Sequence, residues 1–496
     1  MNVHELVLHL REEDIQLSNR DGSLAFDAPE GALTDTVLAE LRRHKPRLLA
    51  ELPPGAPPLA ASGPAAWMQR YLADRHSRTN TPETWNVAYR LDISGPLDTS
   101  RLDRALRALA DRHQGLRTRF REYAGRLVQE VLPEFPPRPD TVDLRPGADR
   151  SRAPEEEVAR WCGDAARAPF DPARGPLFRA PLARVGPREW VLVLVQHHMV
   201  TDAVSVGVLL RELEALYTAE PGDAGPLPPL TTRLVDHARW QNQLLEGPHG
   251  RRLEHYWREE LAGAALDTPL PGDRPRPDQL SGAGAVCPMP LDRALTDRLE
   301  ECARSSGVTV YTVLLTVFAR LLTLLTGRDE AVVIGNFANR ERREFEPLVG
   351  MLMTALPLRV RFDPASTVQD AVRATGRTVL GAVEHQALPL PLLREWLRLH
   401  EYPGGERFPQ TWFVLNPPEP RSLDLGGPDA TVTEVTTSGA RSDLGATASP
   451  EDGLRFFWEL STDFLTTGTV REWTRRYRSL LADLLDTPSL TVAEWR

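Results

Sequence analysis

The stretch VLVLVQHHMVTDAVSVGVLL, residues 191–210, sets two adjacent histidines and an aspartate between an apolar run and a helically patterned segment. WVLVLVQ, starting at Trp190, has the continuous apolar character of a strand buried on both faces. AVSVGVLLRELEALY, which follows, spaces its apolar residues as a helix does. If the strand runs on through His197 and His198, successive side chains point to opposite faces, so one imidazole faces a cavity and the other faces packing. The same divergence argues against a metal site, because no second ligand pair with useful spacing stands nearby. Asp202, at the strand-to-helix turn, is placed to cap a helix starting near Val204. Two readings of the histidines stay open. They are hydrogen-bonded core residues at a strand end, or they are the centre of a site. Strand ends in α/β folds are where ligands bind, a near-neutral imidazole suits proton transfer, and a helix N-terminus favours developing negative charge. That combination suits attack of an amine or hydroxyl on a carbonyl.

Outward from this stretch, strands and helices alternate in both directions. DTSRLDRALRALADRH is a helix with Thr99 or Ser100 as its cap, and RLVQEVL suits a strand. In the second half, VTVYTVLLTVFARLLTLLTG reads as a long buried helix ended by Gly327. EAVVIGNFANR is a strand leading to a charged turn, TVQDAVRATGRTVLGAVEHQ a helix, LRFFWELSTDFL a strand and TVREWTRRYRSLLADLLD a closing helix. This pattern predicts two α/β lobes, at 67–235 and 236–496. Residues 53–66, rich in Pro, Ala and Gly, read as a linker or as an irregular loop inside one larger domain. Before them, residues 1–52 form a unit of their own. Val3, Leu6, Val7 and Leu10 recur at helical spacing; Ile15 and Leu17 alternate before Asp21-Gly22, with Leu24 and Phe26 after it, as in a hairpin. A second amphipathic stretch follows, which Pro46 is expected to bend or divide.

At 496 residues the chain needs roughly two to four domains of ~100–200 residues. It is 41% hydrophobic and 26% charged, and its net charge of −10 is spread along the sequence. No basic stripe marks a nucleic-acid surface. Cys162, Cys287 and Cys302 are too few and too scattered for a disulfide framework or a zinc site, and a reduced cytoplasm fits them best. The N-terminus carries His4, Glu5 and His9 where a signal peptide would be apolar. No run approaches ~18 uninterrupted apolar residues, so no membrane partner is expected.

HHMVTDA, residues 197–203, resembles the HHxxxDG signature of nonribosomal peptide synthetase condensation domains, whose lobes are each similar to chloramphenicol acetyltransferase. Further elements occur in that family's order. DRHQGLRTRF (111–120) resembles RHExLRTxF, LVDHARWQ (234–241) resembles YxDYAxWQ, and DRPRP follows at 273–277. VVIGNFANRERREFEPLVGMLMTALPLR (332–359) resembles the segment in which a GxxxxxR turn precedes GFFVNTLPLR. EHQALPL (384–390) and PQTWFVLN (409–416) match two later elements, and the resemblance covers residues 58 to 496. GALTDTVLAELRRHKPRLLAEL (31–52) is similar to the TubC-type N-terminal docking domain.

The resemblance implies a V-shaped pair of lobes around a central tunnel, preceded by a small α/β docking domain. Donor and acceptor carrier proteins would enter from opposite sides, each bearing phosphopantetheine, with no cofactor or metal bound to the chain itself. The acceptor amine would attack the donor thioester. His198 matches the catalytic second histidine, as general base or as the group that positions the amine. His197 matches the structural first histidine, and Asp202 matches the acid of an ion pair. Arg340 is its expected partner, with Arg274 or Arg276 as alternatives. The docking domain would bind a C-terminal segment of an upstream synthetase subunit along the hairpin edge, through Ile15, Leu17, Leu24 and Phe26.

The sequence departs from the family at several points. Ala203 stands where the signature has glycine, adding a methyl group beside the donor path. Gln114 and Gly115 replace family residues, and Met353, Thr354 and Ala355 stand in the FVNT block. An unusual donor or acceptor, a free acceptor or an ester product becomes an alternative to ordinary elongation. A noncatalytic recruitment platform is another, against which both histidines and Asp202 speak. DLGATAS (443–449) superficially resembles a carrier serine motif but falls at a family strand. Without adenylation or carrier motifs, the chain is expected to be a stand-alone docking-plus-condensation protein or an excised piece, served in trans.

Overall fold

The computed structural model describes all residues except 53, 56, 137–140, 147–152, 221–226, 402–406, 428 and 436–438. The N-terminal unit is a helix Val3–Glu12, a hairpin of Gln16–Arg20 and Ser23–Asp27, and a helix Asp35–Glu51. Asn2 and Glu5 close a capping box on the first helix. Asp21 and Gly22 both take positive φ, 51° and 79°, which the tight two-residue hairpin requires. Pro46 does not divide the second helix, which runs through it unbroken. Val37, Leu41 and Leu48 hold both of its halves on one core with Leu6, Leu10, Ile15 and Leu17.

That core corrects the docking edge. Ile15 is fully buried and Leu17 nearly so, whereas Leu24 is half-buried and Phe26 is 48% exposed. The first hairpin strand is sandwiched: it pairs with the second on one side, and Gln16 reaches Ser62 of the main body at 2.8 Å on the other. Only Ser23–Asp27 is left as an outer strand. The linker reading also fails at its C-terminal end. Ala61–Pro64 is a buried strand paired with Arg126–Val131, since four small residues fit against Val131 and Val235 where larger ones would not. The unit is bolted to the body rather than tethered: Arg11 and Arg119 meet at the buried Glu130, and Arg233 reaches Asp14 at 2.9 Å.

Two larger sheets carry the rest. The first orders Ser422–Asp424, Asp429–Val435, Asn86–Ser94, Glu189–His197, Leu182–Arg184 and Val142–Asp143, with Phe178–Arg179 also on Glu189–His197. The second orders Gly284–Pro288, Gly453–Ser461, Leu444–Glu451, Thr411–Leu415, Glu330–Phe337 and Thr354–Arg361. Val191 to His197 are each no more than 1% exposed, the two-faced burial expected of WVLVLVQ. The expected lobe boundary at 235/236 falls inside the helix Leu234–Glu246, and Val235 packs in the first half with Ala61 and Val131. The halves are further interlocked, because Asp429–Val435 pairs along Asn86–Ser94 and so completes the other half's sheet. Asp98, not Thr99 or Ser100, caps the helix Thr99–Arg112, accepting from the Arg101 N–H at 2.9 Å. Residues 443–449 lie at and within the strand Leu444–Glu451, with Ser449 buried, as a strand rather than a carrier serine demands. Among the described residues no single helix is long and apolar enough to cross a membrane.

Candidate active site

The strand Glu189–His197 ends at the first histidine, and His198 opens a short 3-10 turn, His198–Val200. The two imidazoles therefore diverge through the turn rather than by strand alternation. His197 is fully buried, and its Nδ1 accepts the Met199 N–H at 3.1 Å. That leaves the proton on Nε2, which donates to Nδ1 of His76 at 3.1 Å. Burial, then His76 and His198, hold its pKa well below the ordinary value, so it is neutral.

His198 has the opposite tautomer. Its Nδ1–H donates to the Thr201 carbonyl at 2.9 Å, so Nε2 keeps its lone pair. Burial, followed by the nearby Arg441 guanidinium, pushes its pKa down and keeps it neutral near pH 7. The ring lines two cavities, of about 550 and 120 Å³, both shared with Asp202, Ala203, Glu434, Arg441 and Glu459. A third, of about 280 Å³, shares Thr84 and Arg441 with the smaller one. A larger groove of about 620 Å³, lined by Leu10, Leu17, Leu48, Arg119 and Tyr123, lies at the N-terminal unit and contains none of these residues.

Asp202 caps the helix Ala203–Thr218 and also forms the ion pair; one role does not exclude the other. Its Oδ1 accepts the Ser205 N–H at 2.8 Å. Arg340 donates to both carboxylate oxygens at 3.0 Å, and the Leu352 and Met353 N–H groups reach Oδ2 at 3.1 Å. Burial alone would raise its pKa, but Arg340 and the helix N-terminus outweigh burial and lower it. Arg276 instead holds Asp443 through two bonds, and Arg274 bonds the Thr462 carbonyl. Because Asp202 comes from the first half and Arg340 from the second, the pair fixes the histidine turn against the opposite lobe.

The Condensation domain family model matches residues 64–496, and the TubC N-terminal docking domain model matches residues 3–52. The chain belongs to the condensation domain family. It is 30% identical over 390 residues to malpinin synthetase of Mortierella alpina, covering 78% of this chain and 5% of that protein. To the phosphinothricin tripeptide synthetase PhsB of Streptomyces viridochromogenes it is 33% identical over 491 residues, 97% of this chain and 40% of that one. It thus spans well under two thirds of either relative. Its fold matches the first condensation domain of the CDA synthetase with a TM-score of 0.70 at 22% identity, over 88% of this chain and 98% of that one. Condensation domains of such synthetases are acyltransferases that form amide bonds between substrates held on phosphopantetheine, and the chain is an enzyme of this class.

Within this condensation domain the departures acquire reasons. Gly115 is required by packing, since a Cβ there would stand 2.9 Å from the Val349 carbonyl. The altered FVNT block meets Asp202 through the backbone N–H of Met353, which any side chain preserves. Ala203 is the first helical residue and lines the cavity. No group of three or more His, Cys, Asp or Glu suited to a metal occurs among the described residues. Sequence reasoning missed His76, Arg441 and Glu459. Glu459 had a signal, a single carboxylate inside the apolar strand RFFWEL; His76 and Arg441 had none.

Proposed function

We propose that this condensation domain joins an acyl or peptidyl thioester on one carrier protein to the amine of an aminoacyl group on another. The observation that carries the reading is the free Nε2 of His198 in a cavity walled by both halves. With Nδ1–H anchored on Thr201, Nε2 accepts a proton from the attacking amine or holds that amine in line with the thioester carbonyl. The thiolate leaving the donor takes up a proton, and the lengthened chain remains on the acceptor carrier. His197 and Asp202 keep the turn in place, and Ala203 borders the donor path. The N-terminal unit takes an extended C-terminal segment of an upstream subunit along the Ser23–Asp27 edge, with Leu24 and Phe26 as contacts.

Intact mass spectrometry of loaded donor and acceptor carriers tests the reading. His198→Ala is expected to lower carrier-bound product formation by about 10²–10⁴-fold. Equal turnover by the variant would remove His198 from the chemistry, and absence of turnover with any carrier pair would favour a recruitment platform.

A further inference from the structure

Four charged side chains border the larger cavity at His198 besides the histidine itself: Asp202, Glu434, Arg441 and Glu459. Asp202 is neutralised by Arg340, and Glu434 by Arg455. Among the described residues the Arg441 guanidinium bonds only the Thr84 carbonyl, at 3.2 and 3.3 Å. Glu459 has no cation within ion-pair distance among the described residues. Its Oε1 accepts the Arg441 backbone N–H at 2.8 Å, which leaves Oε2 unclaimed. The strand Gly453–Ser461 aims it: Trp458 is fully buried on one face, while Phe457 and Glu459 alternate to the other and border both cavities that touch His198.

A half-buried carboxylate with one neutral hydrogen bond has unmet demand for a positively charged donor. His198, neutral and with one free lone pair, can take one N–H of an incoming amine but offers no charge to attract it. We infer that Glu459 is a positioning residue for the acceptor, accepting an N–H hydrogen bond from its α-amino group while His198 Nε2 takes the other. This rests on the reading of a carrier-bound aminoacyl acceptor given above. In the ammonium form the charge is held by Glu459 until one proton leaves to solvent. The neutral nitrogen then bonds to the thioester carbonyl carbon, and the C–S bond breaks with its electron pair on sulfur. One N–H proton passes through Nε2 to that sulfur. The carboxylate thus selects an amine over a hydroxyl nucleophile.

The experiment measures binding of two stable acceptor mimics, an aminoacyl-pantetheine amide and its α-hydroxy isostere, to the full chain by calorimetry. Wild type is expected to prefer the amine by about 10-fold or more. Glu459→Gln, which still accepts the Arg441 N–H, should erase the preference, Glu459→Asp should retain part of it, and His198→Ala should retain most. Unchanged melting of Glu459→Gln shows that the fold is kept. Equal binding of the two mimics by wild type, or a preference that survives Glu459→Gln, overturns the inference. Failure of the carrier-condensation reading registers separately, in the turnover of His198→Ala.

Discussion

Two buried carboxylates, Asp202 and Glu130, each join parts of the chain that are distant in sequence, yet they do so differently. Asp202 is bound by one arginine, the Ser205 hydroxyl and three backbone N–H groups, and Arg340 is itself only 5% exposed. Glu130 is equally buried but, among the described residues, is met by side chains alone: Tyr123 and two arginines, Arg11 and Arg119, 12% and 26% exposed. Backbone donors cannot turn away, so the Asp202 seam sets the position of the neighbouring histidine turn. The Glu130 seam is wetter and can rearrange. Rigid backbone fastening is spent where atoms must be placed, and adaptable side-chain fastening where one unit is held on another.

Removing the acids tests this contrast directly. Asp202→Ala strands Arg340 in the interior and is expected to cost about 3–5 kcal/mol in chemical denaturation and to abolish product formation. Glu130→Ala leaves arginines that reach water and should cost roughly 1–3 kcal/mol, with turnover on loaded carriers largely retained. Equal losses would erase the distinction.

Acid weakens both seams. Each carboxyl has a folded pKa below its ordinary value, 3.8 for Asp202 and 4.5 for Glu130, so its stabilisation is complete above those values and is lost as pH falls through the folded ones. Acid should also lower turnover. His198 is neutral because its pKa lies below 6.5, so the active form is lost as pH drops through that lowered value, read from a pH–rate profile. A rate that rises on acidification below pH 6.5 would contradict the base assignment.

Two local substitutions separate the N-terminal unit's core from its free edge. Ile15→Ala should destabilise that unit by about 2–4 kcal/mol in local hydrogen exchange. Phe26→Ser should change stability by under about 0.5 kcal/mol while weakening capture of an upstream C-terminal peptide. Unchanged peptide affinity would move the docking face elsewhere.

Much of this was legible beforehand. Long periodic segments such as Val310–Thr326 appear as read, and the pairing of Asp202 with Arg340 follows from the ordered elements that resemble the family. What escaped depends on partners far along the chain. Ala61–Pro64 looks like linker because its small residues are chosen for a tight fit against Val235, a contact invisible locally. Ile15 and Leu17 alternate as an edge strand would; packing against Leu6, Leu10, Val37 and Leu41 of the unit's two helices makes them core. Glu459 reads as one charge in a strand until the fold sets it on the cavities that His198 also lines.

The pairing of Asp429–Val435 with Asn86–Ser94 has a consequence for biogenesis. During synthesis the first sheet emerges with the flank of Asn86–Ser94 bare, and it stays bare until residue 435 has left the ribosome. So long-range a contact makes closure slow. An incomplete edge of this kind is a template for aberrant association. Chains truncated before residue 429 should therefore precipitate rather than yield a free first lobe.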